Sequence, residues 1–248
     1  MKIMISIITV VNNFSIYEKY LLPSISIQKN VSYEIHVIDN SNNKYKSLTE
    51  AYNSVLGKVN GEWVLFCHPD ICFLSENSIK KIVEKVESIN KKDSEYVIFG
   101  GAGASNEYPP RNFMSFKHGL DNLGGKDTNF DYYDAQTVDA CCYMILKSVC
   151  KDLKFSTYLT GFHMAIEDLC IRAISAGKKV AVIPFDIWHL STGNSLNSTY
   201  YREMRKVFKK NVNLLFLNTT SFSFYRRWYT MGLLMFYEIR NKIHHLFD

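Results

Sequence analysis

The sequence predicts an α/β protein built on a parallel sheet, and three observations carry that expectation. Residues 3–11 and 63–67 are apolar runs with little polar alternation, the pattern of strands buried on both faces, and residues 33–38 read as a further strand between them. Helical patterns at residues 17–28 and 48–59 separate them with short connections, which gives right-handed crossovers and parallel neighbours. Each run ends in polar residues: Asn12-Asn13, Asp39-Asn40 and His68-Pro69-Asp70. In a parallel arrangement these ends share the edge of the sheet where ligands of open α/β folds sit.

Residues 63–67 are the centre of the pattern. Pro69 has no N–H for a sheet ladder, so the strand stops there. It delivers an imidazole, His68, and a carboxylate, Asp70, to its C-terminal edge. A carboxylate in that place can hold a divalent cation, and the cation can hold a diphosphate, which makes a sugar-nucleotide site the expectation.

The other elements follow in order. In residues 17–28, Tyr17, Tyr20, Leu21, Ile25 and Ile27 recur near helical spacing, and Pro23 marks a break near the start. Gly61 punctuates the second helix before the central strand. Residues 75–90 read as a helix capped by Ser75, with Ile79, Ile82, Val83, Val86 and Ile89 in one stripe and solvated lysines opposite. A strand at 96–99 precedes Gly100-Gly101-Ala102-Gly103-Ala104. No helix-forming segment opens after this cluster, so it is not a dinucleotide fingerprint and serves close backbone approach.

Residues 105–136 are loop-like, and a loop this long in a compact domain is usually functional or disordered. Its aromatics, among them Tyr108, Phe113, Phe130 and Tyr133, argue against disorder and suit either a sugar ring or a core of the loop's own. A strand at 137–146 contains Asp139, a carboxylate that faces a polar site or lies at a strand end. Residues 164–176 form a helix closed by Gly177, with Glu167 and Asp168 in the first turn, where capping alone could account for both. A last strand at 180–184 leads to a loop carrying His189.

The chain of 248 residues is long enough for a large core, and 47% apolar against 21% charged residues is ordinary for a globular protein. A net charge of +5 is scattered rather than blocked, which argues against a nucleic-acid partner and fits anionic substrates or lipids. The six cysteines include no Cys-x-x-Cys pair, so a zinc site is not expected, and reduced core thiols of a cytoplasmic protein are. Residues 3–11 read as a first strand rather than a leader, and no stretch reaches the ~20 apolar residues of a membrane span. The tail differs: residues 200–210 are basic and helical, and 222–247 interleave aromatics with Arg226, Arg227, Arg240 and Lys242. It reads either as a helix docked on the protein or on a second copy, or as a segment lying on a membrane.

Together these residues resemble the family 2-like glycosyltransferases of bacterial polysaccharide and glycoconjugate assembly. The resemblance spans roughly residues 1–194. It rests on the run from Ile5 to Asn13, Val37-Ile38-Asp39-Asn40, Gly61-Glu62-Trp63 through His68-Pro69-Asp70, Val138-Asp139-Ala140, Glu167-Asp168-Leu169-Cys170-Ile171-Arg172-Ala173 up to Gly177, and His189.

The resemblance implies a GT-A fold: a mixed, mainly parallel sheet flanked by helices, over residues 1–215, with a C-terminal helical extension at 216–248. It implies an inverting, metal-dependent transfer of a sugar from a nucleotide-diphosphate donor, foremost a UDP-sugar, to a glycan, lipid-linked or protein-linked hydroxyl. Thr9, Val11, Asn12 and Asp39 would line the base and ribose pocket, with His68 and Asp70 at the donor. Asp70 and His189 would hold Mn²⁺ or Mg²⁺, Asp139 would face sugar or acceptor, and Glu167 or Asp168 would be the catalytic base. The protein would work in the cytoplasm or at the inner face of the membrane, with 216–248 as lipid or dimer contact.

Two positions depart from the family pattern. His68 stands where an acid is usual, which favours Mn²⁺ over Mg²⁺. Ile166 stands where the first of two acids is usual, so a degenerate module that binds a nucleotide or partner without turnover is the alternative. A sugar-phosphate nucleotidyltransferase would want a Gly-rich basic loop where Asn12-Asn13-Phe14-Ser15 stand.

Overall fold

In the computed structural model, which describes residues 4–119, 130–190 and 196–244, the chain begins with β1 (Met4–Val11). It passes through α1 (Phe14–Lys19) and α2 (Leu21–Ser26) to β2 (Ser32–Asp39), then through α3 (Leu48–Asn53) to β3 (Trp63–Cys67). β4 (Ile71–Phe73), α4 (Ser78–Lys92), β5 (Tyr96–Gly100), β6 (Ala102–Ala104), β7 (Asn112–Met114) and β8 (Lys117–His118) follow. Next come β9 (Tyr133–Ala135), β10 (Thr137–Val138), β11 (Cys142–Leu146), α5 (Lys147–Leu153), α6 (Ala165–Ser175), β12 (Lys179–Val182) and β13 (Ile187–His189). The described chain closes with α7 (Ser198–Lys210), β14 (Phe216–Asn218), β15 (Ser223–Tyr225) and α8 (Thr230–His244).

The main sheet has the order β2-β1-β3-β11-β5-β12-β9. β2, β1, β3, β5 and β12 run one way, and β11 and β9 the other, so the sheet is mixed and mainly parallel. One face packs on α1, α2 and α4 through Ile5, Ile7, Leu65 and Phe99. The other packs on α3, α5 and α6 through Ile8, Val64, Phe66 and Tyr143. A third apolar cluster ties α7, α8 and the β14–β15 hairpin to Leu159, Met164 and Ile171. Among the described residues, no helix is long and apolar enough to cross a membrane.

Several elements differ from the sequence expectation for identifiable reasons. The first helix is two, broken at Tyr20 (φ −118°, ψ −69°), and Pro23 sits in the first turn of α2, where its missing N–H costs nothing. The second helix stops at Asn53 and the chain reaches Gly61 by turns. Asn77, not Ser75, is the N-cap of α4, because the Ser75 hydroxyl pairs with Ser78 Oγ at 3.0 Å. The strand expected at 137–146 breaks into β10 and β11 with Asp139 between them. His189 lies on a strand rather than a loop, since β13 pairs with β4. The loop at 105–136 carries short strands, and its aromatics pack on one another: Phe113 and Phe130 stack on Tyr133 with ring centroids 4.2 and 4.7 Å away. Ile3, residues 120–129 of that loop, residues 191–195 after His189 and the last part of the tail lie outside the described residues. In the tail, the part expected to be helical from 222 onward begins with a β-hairpin strand.

Two glycine positions carry the close approaches. A Cβ on Gly103 would lie 2.4 Å from Thr137 O, which explains the glycine cluster after β5. A Cβ on Gly61 would lie 2.4 Å from Ser6 N and 2.5 Å from Ile5 C, both backbone atoms of β1 that cannot give way. Gly61 also donates its N–H to Ser6 Oγ at 2.9 Å. Gly61→Ala is therefore expected to destabilise the protein by about 1–3 kcal/mol, read as a lower urea midpoint at unchanged slope.

Candidate active site

The register of the parallel strands sets the site. Val11 pairs with Asp39, and Asn40 donates its N–H to Val11 O at 2.9 Å. Ile8 pairs with Phe66, so β3 and β1 reach the same edge together. At this edge lies a cleft of about 1050 Å³. Val10, Asn12 and Asn13 line it from β1, and His68, Pro69 and Asp70 from β3. Asp139, Glu167, His189 and the hairpin tip Thr219-Thr220-Ser221 complete the polar wall, while Tyr52 and Met164 lie among its apolar residues.

His68, Asp70 and His189 form one group, with ligand atoms within 4.8 Å of one another. His189 reaches Asp70 because β13 pairs antiparallel with β4, placing His189 opposite Ile71. Its Nε2 is 3.3 Å from Asp70 Oδ1, and His68 Nδ1 is 3.9 Å from the same oxygen. Burial works to raise the Asp70 carboxyl, but the hydrogen bond from His189 and the charges of both imidazoles hold it below its ordinary value. Burial, and then His189, hold His68 below its ordinary value, leaving a neutral ring with a lone pair to offer. Two imidazole nitrogens and one carboxylate oxygen suit a borderline divalent ion such as Mn²⁺ better than Mg²⁺.

The two acids of α6 have opposite surroundings. Asp168 is fully buried and engaged: it accepts from Ser156 Oγ at 2.6 Å, from the Tyr158 hydroxyl, and from Arg172 Nε at 2.8 Å. Arg172 in turn donates to Leu153 O and Lys154 O, so the whole group fastens α6 to the end of α5. Glu167 faces the cleft with 8% of its surface exposed, and its Oε2 has no hydrogen-bond partner among the described residues. Burial pushes the Glu167 carboxyl up to about 8; its own backbone N–H opposes this, and the charges of Asp139 and Asp168 add to it. α6 starts at Met164 in the left-handed region (φ 65°), a strain typical of functional sites that lines the cleft here.

Asp139 sits where the strand breaks. Its Oδ1 accepts the Cys141 N–H at 3.0 Å and its Oδ2 accepts the Thr220 hydroxyl at 2.8 Å. Burial is the largest influence and raises its carboxyl, but these two hydrogen bonds, with the Cys141 side chain and the charge of His189, together hold the group below its ordinary value.

The structure thus brings Asn12, His68, Asp70, Asp139, Glu167 and His189 to one cleft. Thr9 and Val11 sit on the opposite face of β1, with Ile5 and Ile7, because side chains alternate along a strand. Thr9 Oγ1 is buried there without a partner among the described residues. Asp39 ends β2 at the same sheet edge, with its carboxylate accepting from the Ser41 N–H and hydroxyl. Asp168 faces Arg172, away from the cleft. Sequence reasoning missed Val10, which alternation from Asn12 would have found, and the hairpin tip, for which the sequence offers no local signal.

A mainly parallel sheet whose strand ends carry a group that could hold a cation over a large cleft has the architecture of the nucleotide-sugar transferases. Residues 6–212 match the model of the glycosyltransferase-like family, and the chain belongs to that family. The fold is similar to that of a mannosyltransferase of Pyrobaculum calidifontis, solved with GDP-Man and Mn²⁺. That match has a TM-score of 0.61 and 9% identity, over 98% of this chain and 75% of that one. It is similar to GalNAc-T7 solved with UDP, GalNAc and Mn²⁺, with a TM-score of 0.60 and 12% identity, over 84% of this chain and 48% of that one. It is similar to S. aureus TarS 1-349 in complex with UDP-GlcNAc, with a TM-score of 0.55 and 13% identity, over 98% and 73% of the two chains. A curated protein of Fuscovulum blasticum, "ATP synthase subunits region ORF 6", is 22% identical over 182 residues, 72% of this chain; the match spans 65% of that relative's length.

The two α6 acids are separable by stability. Asp168→Ala removes the buried acceptor shared by Ser156, Tyr158 and Arg172 and is expected to cost about 1–3 kcal/mol in denaturant unfolding. Glu167→Gln acts the other way. Folded Glu167 keeps its proton up to about 8, whereas the unfolded carboxyl loses it near 4.5. Between these values the folded protein binds more protons, so wild-type stability falls as pH rises. The melting temperature of Glu167→Gln is expected to gain steadily on wild type from pH 4.5 to pH 8.

Proposed function

We propose that the protein is an inverting, metal-dependent glycosyltransferase that moves a sugar from a nucleotide-diphosphate donor to an acceptor hydroxyl. The observation that carries the reading is the shared cleft: a buried carboxylate, Glu167, with one oxygen unpartnered among the described residues, faces the same space as His68, Asp70 and His189. The reading includes Mn²⁺ as the ion, a UDP-sugar as the donor, and a glycan, lipid-linked or protein-linked acceptor. It also includes polysaccharide assembly in a bacterial cytoplasm. In it, residues 1–215 are the transferase domain and 216–248 an extension. The mannosyltransferase, GalNAc-T7 and TarS complexes support the donor class by analogy of fold.

In this mechanism Val10, Asn12 and Asn13 hold the nucleoside end at the rim of β1, with Asp39 beside them. His68, Asp70 and His189 hold a divalent cation, which when bound supplies neutralisation of the charge developing on the leaving diphosphate. Glu167 takes the proton of the acceptor hydroxyl as that oxygen attacks the anomeric carbon from the face opposite the diphosphate. Because burial keeps Glu167 protonated, acceptor-limited turnover rises with pH through the neutral range toward about 8. Asp139, fixed by Cys141 and Thr220, faces the sugar or acceptor.

The alternative of a non-catalytic module draws on Ile166. That residue is fully buried in the apolar layer under the sheet, a place where an acid could not reach the cleft. Glu167, one residue on, is the acid that faces it.

The test is release of nucleoside diphosphate from UDP-, GDP- and dTDP-sugars with Mn²⁺, together with donor binding by calorimetry. The wild type is expected to bind and turn over one donor. Glu167→Gln should bind it equally and lose turnover by about 10²–10⁴-fold. Undiminished turnover in Glu167→Gln would remove the base, and binding without turnover in the wild type would establish the non-catalytic module.

A further inference from the structure

We infer that the outer face of α8 docks on an anionic lipid surface. The proposal goes beyond the transferase reading and stands without it. α8 and the turn before it expose Trp228 (94%), Tyr229 (45%), Met235 (49%), Phe236 (59%), Ile239 (45%) and Ile243 (50%). From Met235 onward these recur at helical spacing, so they form one stripe. The stripe is not what holds the helix in place. The inner face does that, with Leu234 fully buried and Tyr237 stacked on Tyr201 at 5.2 Å. Apolar residues on a face that the fold does not use mark a contact surface.

The charges say which contact. Residues 216–244 contain a single acid, Glu238, and it is buried between Arg205 at 2.5 Å and Lys242 at 3.4 Å. Arg227, Arg240 and Lys242 are exposed beside the apolar stripe. The surface is therefore apolar with a cationic border and, among the described residues of this segment, no exposed carboxylate. That composition matches the interface of a bilayer with anionic headgroups, where aromatic rings sit at headgroup level and cations meet phosphate. A second copy is the poorer match. A two-fold contact sets a patch against itself and would bring Arg227, Arg240 and Lys242 against their own kind. α8 has 15 residues and spans about 22 Å, so it lies along such a surface rather than across it.

Vesicle flotation of the full chain tests this, with phosphatidylglycerol vesicles beside phosphatidylcholine vesicles. The wild type is expected to float with phosphatidylglycerol, and at least about tenfold less with phosphatidylcholine. The pair Trp228→Ser with Phe236→Ser, and the pair Arg227→Gln with Arg240→Gln, should each weaken flotation by about tenfold or more. Both pairs should melt at the wild-type temperature, since the side chains are exposed. The inference fails if the wild type does not float with phosphatidylglycerol, if it floats equally with both lipids, or if the variants float as well as the wild type. A dimer in sedimentation that Trp228→Ser with Phe236→Ser breaks, without vesicle binding, would give the face to a second copy instead.

Discussion

The register of β1 between β2 and β3 fixes where the polar groups at the ends of these three strands can stand. Five apolar residues of β3 are buried, and the ladder ends because Pro69 has no N–H to continue it. Val11 stops opposite Asp39, so Asn12, Asp39 and His68 leave the sheet at one edge. A slip of one residue would turn Asn12 and Val10 into the core and Val11 toward the ligand space. Gly61 guards that register from the other end, since only a residue without a Cβ can lie against the Ser6 backbone. The small sheet of β4, β13 and β8 then adds His189 to the group begun by β3.

Burial does two different kinds of work on α6. Around Asp168 it comes with donors from three side chains, and the product is a clamp between helices. Around Glu167 it comes with no partner for one carboxylate oxygen among the described residues, and the product is a group whose proton affinity is raised to about 8. The first arrangement stabilises the fold, and the second costs stability as pH rises above about 4.5, where the unfolded chain gives up a proton that the folded one keeps. A cost of that kind concentrated in a cleft is what an acid or base site requires. The same cleft keeps the nearby Asp139 on the ionised side through two hydrogen bonds, so two neighbouring carboxyls are driven apart in proton affinity.

Much of this was legible from the chain. The apolar runs, their helical separators and Pro69 carry the parallel core, and the polar strand ends carry the cleft. Asp139 read as facing a polar site or lying at a strand end; it lines the cleft and follows the end of β10. Resemblance alone left Glu167 and Asp168 undivided, because adjacent residues on a helix differ by about 100° in direction and only packing says which way each points. The faces of β1 were legible by alternation, yet a motif read as a continuous run obscured it. His189 on a strand, and the hairpin tip reaching Asp139 from 81 residues away, follow from tertiary pairing that no local pattern encodes.

We propose that His68, Asp70 and His189 together seat a cation that grips a nucleoside diphosphate. Titration of Mn²⁺ followed by electron paramagnetic resonance, with and without UDP, tests it most directly. One site per chain is expected, tightening when UDP is present and disappearing in Asp70→Ala, a variant that leaves the buried core untouched. Mn²⁺ binding that is indifferent both to UDP and to the loss of Asp70 would contradict it.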